Sequence, residues 1–160
     1  MISQAVEKML TYRKNELLIP ASIVANVQED NYLDHAFLVL TKVRYAKIPV
    51  IDKDQKFKGL ISLAMITDTM LGLNGIDPSK LSRLRVADVM QTDVPTVSLP
   101  YNLDYLLHVL VDHSFLVVVN DKQIFQGIIT RRELLKNVNY LAHEMDKVYS
   151  IETRNEINEN

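Results

Sequence analysis

The sequence predicts an α/β (α+β) fold in which one strand–helix–strand–strand–helix unit is used twice. Three observations predict it. Phe57-Lys58-Gly59-Leu60-Ile61-Ser62 is answered by Phe125-Gln126-Gly127-Ile128-Ile129-Thr130 at an offset of 68 (125 − 57). Val50-Ile51-Asp52 is answered by Val118-Val119-Asn120 at the same offset. Val24-Ala25-Asn26-Val27 and Leu33-Asp34 are answered by Val94-Pro95-Thr96-Val97 and Leu103-Asp104 at an offset of 70 (97 − 27). The two-residue difference falls in a helix-to-strand connection, where a deletion costs little. An internal repeat of this kind governs the reading of everything else.

In chain order, residues 2–18 are predicted as a helix, with Val6, Met9, Leu10, Arg13 and Leu17 along one side, ended by Pro20. A short extended piece, Ile23-Val24-Ala25-Asn26-Val27, comes next. Asp30 or Asn31 then caps a helix whose apolar face is Leu33, Ala36, Phe37, Leu40 and Val43. Two strands follow, Ile48-Pro49-Val50-Ile51 and Phe57 onward, joined by the polar turn Asp52-Lys53-Asp54-Gln55-Lys56. A helix over 63–71 closes the first unit. The connector Gly72-Leu73-Asn74-Gly75-Ile76-Asp77-Pro78 carries glycine punctuation and an N-cap with proline at the first helical position. The second unit repeats the order, with a helix bearing Leu103, Leu106, Leu107 and Leu110 and a last helix running through Leu134, Leu135, Val138 and Leu141. From Ser150 the chain turns polar, as a frayed tail does.

Composition bounds the class. A chain of 160 residues makes one domain or two small units sharing a core. An apolar content of 48% with 24% charged residues is ordinary for a globular protein. The net charge of −2 argues against a general nucleic-acid binder, which carries a basic stripe. Without cysteine there is neither a disulfide framework nor a thiolate metal site. The first residues, Met1 to Lys8, lack a long apolar core. No segment approaches the roughly 20 apolar residues that span a bilayer. The expectation is a cytoplasmic protein with no membrane or nucleic-acid partner.

The turn Gly127-Ile128-Ile129-Thr130-Arg131-Arg132-Glu133 carries the functional signal. Thr130 and Glu133 have capping-box spacing. Arg131 and Arg132 then fall on the first helical turn, where the helix dipole is positive and cations are misplaced. An anion beside them resolves the mismatch, because helix N-termini bind phosphate readily. The bland reading is a solvated arginine pair behind a plain cap.

The repeated unit resembles the CBS domain, an α/β module that works in tandem pairs. Val86-Ala87-Asp88-Val89-Met90, Ile48-Pro49-Val50-Ile51-Asp52 and the Gly-x-Ile-Ser/Thr turns at Gly59 and Gly127 carry the resemblance, which covers residues 17–138. It implies a tandem CBS pair: an N-terminal helix over 1–16, CBS domains over 17–71 and 85–138, a linker over 72–84, and a helical extension and tail over 139–160. It also implies two short sheets related by a pseudo-twofold axis, two clefts that commonly bind adenine nucleotides, and a disc-shaped homodimer. The nucleotide-binding version of the family carries Ser/Thr-x-x-Asp, whose carboxylate binds ribose hydroxyls. Here the first unit has Ser62-Leu63-Ala64-Met65 and the second Thr130-Arg131-Arg132-Glu133.

More narrowly, the chain is similar to stand-alone CBS pairs of Gram-positive bacteria that bind cyclic di-AMP. These share an Ile-Pro-Val preceded by a tyrosine (here Tyr45) and a Thr-Arg-Arg turn. Carried over by position, the resemblance implicates Ile23, Val24, Ala25, Tyr45, Ala46, Ile48, Pro49, Thr130, Arg131 and Arg132; Lys47 is added because it reaches the same cleft. Cyclic di-AMP has two phosphate charges, and an arginine fork binds phosphate oxygens bidentately. Tyr45 offers a ring on which an adenine stacks, and small Ala25 and Ala46 let the backbone approach the base edge. The related cleft, expected from Val94, Thr96, His113, Phe115 and the Ser62-Leu63-Ala64 turn, has no arginine to match, so one ligand per chain is expected. The resemblance suggests a (p)ppGpp synthetase or pyruvate carboxylase as the regulated partner.

The other constellations are plain. His35, His108, His113 and His143 show no metal spacing. There is no Walker loop, no Gly-x-Ser-x-Gly elbow and no cysteine nucleophile. The reading is a sensor, with no enzyme and no cofactor. The alternatives are an energy sensor for AMP, ADP or ATP and a ligand-free dimerisation scaffold.

Overall fold

The computed structural model describes residues 1–11, 17–150 and 152. The chain opens with helix α1 (Gln4–Thr11) and strand β1 (Leu18–Pro20). The first unit follows as β2 (Val27–Gln28), α2 (Leu33–Val43), β3 (Lys47–Ile51), β4 (Phe57–Ser62) and α3 (Leu63–Met70). A connector holds a two-stranded ribbon, β5 (Leu71–Gly72) with β6 (Gly75–Ile76), then a 3-10 turn (Pro78–Ser82) and the short helix α4 (Val86–Val89). The second unit is β7 (Thr96–Val97), α5 (Leu103–Asp112), β8 (Phe115–Val119), β9 (Phe125–Thr130) and α6 (Arg131–Val148).

Each unit builds the same small sheet: an antiparallel hairpin, β3–β4 or β8–β9, with a short parallel strand, β2 or β7, on its first arm. Both hairpins shift register at the same place, before Ile51 and Val119. The hairpin turns meet across the pseudo-twofold axis. Phe57 donates its N–H to the Gln123 carbonyl, and Phe125 donates to the Gln55 carbonyl, each at 2.9 Å. Ile51, Leu60, Val117, Val119 and Phe125 are buried together between the two sheets. That shared layer is what makes two units one folded body.

The units also exchange their lead-in segments. β1 precedes the first unit but pairs antiparallel with β9 of the second, Leu18 opposite Ile129 and Pro20 opposite Gly127. Gln91 precedes the second unit but exchanges both backbone hydrogen bonds with Leu60 of β4, at 2.9 and 2.8 Å. This swap corrects the expectation of one helix over residues 2–18. Leu17 is only 1% exposed, inside the second unit's core, and Leu18–Pro20 is a strand. An open edge on β9 outbids helix propensity, and a proline is acceptable on an edge strand. Arg13, placed on that helix from sequence, lies outside the described residues.

Three local expectations are also corrected. The extended piece at Ile23 begins as a 3-10 turn (Ala21–Ile23), and the strand proper is Val27–Gln28. Neither Asp30 nor Asn31 caps α2. Tyr32 holds the N-cap position without a side-chain capping bond; the Asn31 side chain accepts the Gln28 N–H at 2.9 Å, the Asp30 carbonyl accepts from the Arg85 guanidinium, and the Tyr32 hydroxyl accepts from it at 3.1 Å. The Arg85 group also stacks over the Tyr32 ring at 4.1 Å. The ribbon β5–β6 within the glycine-marked connector was not foreseen. The Asp77 cap forms as expected, accepting the Ser79 N–H at 3.0 Å. The last helix is continuous over Arg131–Val148, and of the polar tail only Ser150 and Glu152 are among the described residues.

The two hairpin turns reach one geometry with different chemistry. In the first, the Asp52 carboxylate accepts the Asp54 and Lys56 N–H groups, both at 2.9 Å. In the second, the Asn120 side-chain carbonyl accepts the Lys122 and Ile124 N–H groups, both at 3.0 Å. The bond from Lys56 N–H holds the Asp52 carboxyl below its usual value, against an opposing effect of dehydration. Stability from this lowered pKa is present above the unfolded carboxylate value of about 3.9 and is lost as pH falls through the folded value. Asp52→Asn installs the amide already used at 120. We expect the variant's urea midpoint to fall less than the parent's between pH 5 and pH 3; equal losses would contradict this.

Candidate ligand-binding cleft

A cleft of about 420 Å³ opens where both units meet. One wall comes from the lead-in and the first unit: Ile19, Ile23, Val24, and the run Arg44, Tyr45, Ala46 and Lys47 between α2 and β3. The other comes from the second unit: Ser114, Phe115, Ile128, Thr130, Arg132 and Glu133. The volume is within the roughly 300–1,000 Å³ of small-molecule sites, and the lining mixes an apolar floor with a few polar groups.

Local sequence explains the second wall. Thr130 ends β9 and its hydroxyl accepts the Glu133 N–H at 3.1 Å, capping α6. The return half of the capping box is not made, because the Glu133 carboxylate instead accepts from Lys136 Nζ at 2.7 Å. The adjacent arginines part company. Arg131 donates from Nε to the Leu110 carbonyl at 2.7 Å and from its terminal nitrogen to the Val111 carbonyl at 3.0 Å. A cation misplaced at the positive start of α6 thus serves the negative end of α5. Arg132 lines the cleft, with no side-chain hydrogen bond or ion pair among the described residues.

Of the residues picked from sequence, Ile23, Val24, Tyr45, Ala46, Lys47, Thr130 and Arg132 come together here. Four do not. Arg131 is committed to the end of α5, and Ile48, 1% exposed, is packed in the first unit's core. Pro49 is buried in β3, and Ala25 packs against the first core. Strand alternation is the reason for the β3 pair: a buried central strand turns both faces inward. Tyr45 is 61% exposed, which leaves its ring free to stack. Lys47 donates from Nζ to the Gln91 side chain at 3.0 Å and lines a second, smaller cavity as well.

That second cavity, about 180 Å³, is the pseudo-symmetric cleft. Val94, His113 and Phe115 line it as expected, joined by Leu60, Gln91, Pro95, Asp112 and Ser114. Thr96, Ser62, Leu63 and Ala64 do not line it. Ser62 is 5% exposed and caps α3 by accepting the Met65 N–H at 3.1 Å, so its hydroxyl is spent on the helix. Phe115 lines both cavities, which divides the space that sequence assigned to one.

Sequence reasoning missed Arg44, Ile19, Ser114, Ile128 and Glu133, and gave Phe115 to the other cleft alone. Ile19 was hidden by the misread helix, and Ser114 by the deletion between repeats. Arg44 had a local signal: it follows the last apolar position of α2, where chain reversal is expected. Among the described residues no three His, Asp or Glu side chains gather to hold a metal, and no helix is long and apolar enough to cross a membrane.

Paired hairpin units, swapped lead-ins and an interfacial cleft define a tandem α/β pair, and the CBS domain family model matches residues 19–72 and 86–140. The chain belongs to the CBS-domain family. It is 37% identical to the cyclic di-AMP receptor B of Bacillus subtilis (strain 168), covering 92% of this chain and all of that protein. Its fold matches the Listeria monocytogenes CbpB protein in complex with c-di-AMP, at 51% identity and a TM-score of 0.76, over 81% of this chain and 98% of that one. It also matches CbpB from Streptococcus agalactiae, at 29% identity and a TM-score of 0.84 over 96% of both chains.

Proposed function

We propose that this chain is a cyclic di-AMP sensor whose ligand lies in the cleft between Tyr45 and Arg132. One observation carries the reading: an uncommitted arginine on the first turn of α6 shares a cleft with an exposed tyrosine from the other unit. The helix end and guanidinium attract a phosphate, and the ring accepts an adenine face, worth ~1–3 kcal/mol. Ala46 lets the chain approach the base closely, while Ile19, Val24 and Ile128 exclude water below it. Names borne by relatives point to the same ligand.

The smaller cavity is too tight for a dinucleotide and offers no arginine, so one ligand binds per chain. A mononucleotide sensor for AMP, ADP or ATP is the weaker reading. Met65 offers no ribose acceptor, and Glu133 is engaged by Lys136. The role is regulatory and not catalytic: a cytoplasmic homodimer binds a partner protein, of the (p)ppGpp synthetase or pyruvate carboxylase kind, and ligand changes that affinity by linkage.

Calorimetric titration with cyclic di-AMP, cyclic di-GMP, AMP and ATP tests the ligand. Cyclic di-AMP is expected to bind at one per chain, and Arg132→Ala to weaken it by about 10–100-fold, the loss of a charge-assisted phosphate contact. Preference for a mononucleotide, or full affinity in the variant, would sink the reading. Partner pull-down with and without ligand tests the switch; identical recovery would remove it.

A further inference from the structure

Arg44 is the residue of the cleft that nothing in its own helix explains. It follows α2 in the left-handed conformation, φ 58° and ψ 27°, with its N–H donated to the Leu40 carbonyl at 3.0 Å. Glycine is the usual occupant of that position because a Cβ is disfavoured there. A cation near the negative end of a helix is favourable, but Lys42 in the last turn already supplies one. The Arg44 side chain makes no hydrogen bond or ion pair among the described residues, and it lines the 420 Å³ cleft. The cleft's carboxylate, Glu133, is already paired with Lys136 at 2.7 Å.

The pseudo-symmetry sharpens the point. By element, Arg44 is the C-cap of α2 and His113 the C-cap of α5, and Asp112, the last residue of α5, lines the smaller cavity beside it. One cleft therefore carries a guanidinium where the other carries a carboxylate. That difference favours an anion in the first and repels it from the second. Lys47 is less available, since its ammonium is bonded to Gln91.

We propose that Arg44 is a second phosphate-binding arginine of this cleft, taking one phosphate of a cyclic dinucleotide from the first unit's wall while Arg132 takes the other. The inference rests on the ligand reading above and adds to it a named specificity determinant for a doubly charged ligand. Arg44 is set to grip the phosphate because the left-handed cap fixes where its side chain leaves the chain.

The test separates binding from folding. Arg44→Gly supplies the residue that the left-handed cap prefers, so its melting temperature is expected to equal or exceed the parent's. Calorimetric titration with cyclic di-AMP at low and high salt is expected to show at least about tenfold weaker binding. Its salt dependence should also be shallower, because one screened charge contact is gone. Lys42→Ala removes the same charge from the same helix end outside the cleft, and is expected to bind within about threefold of the parent. Parent-like affinity and salt slope in Arg44→Gly, with Arg132→Ala still impaired, would overturn the Arg44 role and leave the ligand reading standing. Equal losses in Lys42→Ala and Arg44→Gly would reduce Arg44 to background charge and overturn it too. Failure of the parent protein to bind cyclic di-AMP would overturn both.

Discussion

Gly127→Ala is expected to destabilise the protein by about 3–5 kcal/mol, from strained backbone plus a lost edge strand. Gly127 sits in β9 at φ 144°, where side chains are rarely found, and an added Cβ would lie 2.0 Å from the Ile19 carbonyl oxygen. The collision is with backbone, so no rotamer change relieves it. β1 must lift from β9, and Ile19 leaves the cleft floor with it. Urea denaturation should show the loss, and titration of the surviving folded fraction should show weakened ligand binding. Gly59→Ala is the internal comparison. Its Cβ would meet the Gln91 carbonyl at 2.4 Å, but its φ carries no left-handed strain, so the penalty is smaller. Equal or reversed costs would refute the account of the swapped lead-ins.

The second large effect concerns the core. Leu106→Ala is expected to cost about 2–5 kcal/mol, a fall of roughly 10 °C in melting temperature. The change looks mild, because Ala36 is the residue at the equivalent position of the first unit, and both are 0% exposed. The surroundings differ. Ala36 belongs to a cluster closed by Val86, which the connector supplies. Leu106 belongs to a cluster that includes Leu10 from α1 and Leu17 from the lead-in, and the space there is sized for a leucine. A near-neutral substitution in thermal denaturation would mean that the two cores are interchangeable, and they are not packed as if they were.

How much could be read in advance follows from what is local. β3 and β4, α2, α3 and α5 were legible because alternation, apolar helix faces and turn residues are properties of short segments. The duplication was legible because a constant offset needs no structure. In the cleft, Tyr45, Ala46, Thr130 and Arg132 were legible because the resemblance places them on segments that the duplication aligns, and Lys47 because it lies beside Ala46 on one of those segments. The misses share a cause. Leu17 to Pro20 reads locally as the end of a helix, and only the free edge of β9, more than a hundred residues on, makes it a strand. Arg131 and Arg132 are neighbours of one type on one turn. Which of them finds the end of α5 and which finds the cleft depends on where α5 ends in space.

By itself the sequence determined the repeated unit, the capped turn at Thr130 and the supply of arginine to one cleft and not the other, since these follow from residue types at set spacings. Only the tertiary structure decided which unit each lead-in pairs with, that Arg44 joins Arg132 at the cleft while Arg131 leaves it, and that the two clefts differ in size. Those are outcomes of long-range backbone pairing and of helix ends meeting across a pseudo-twofold axis, and no local periodicity encodes them.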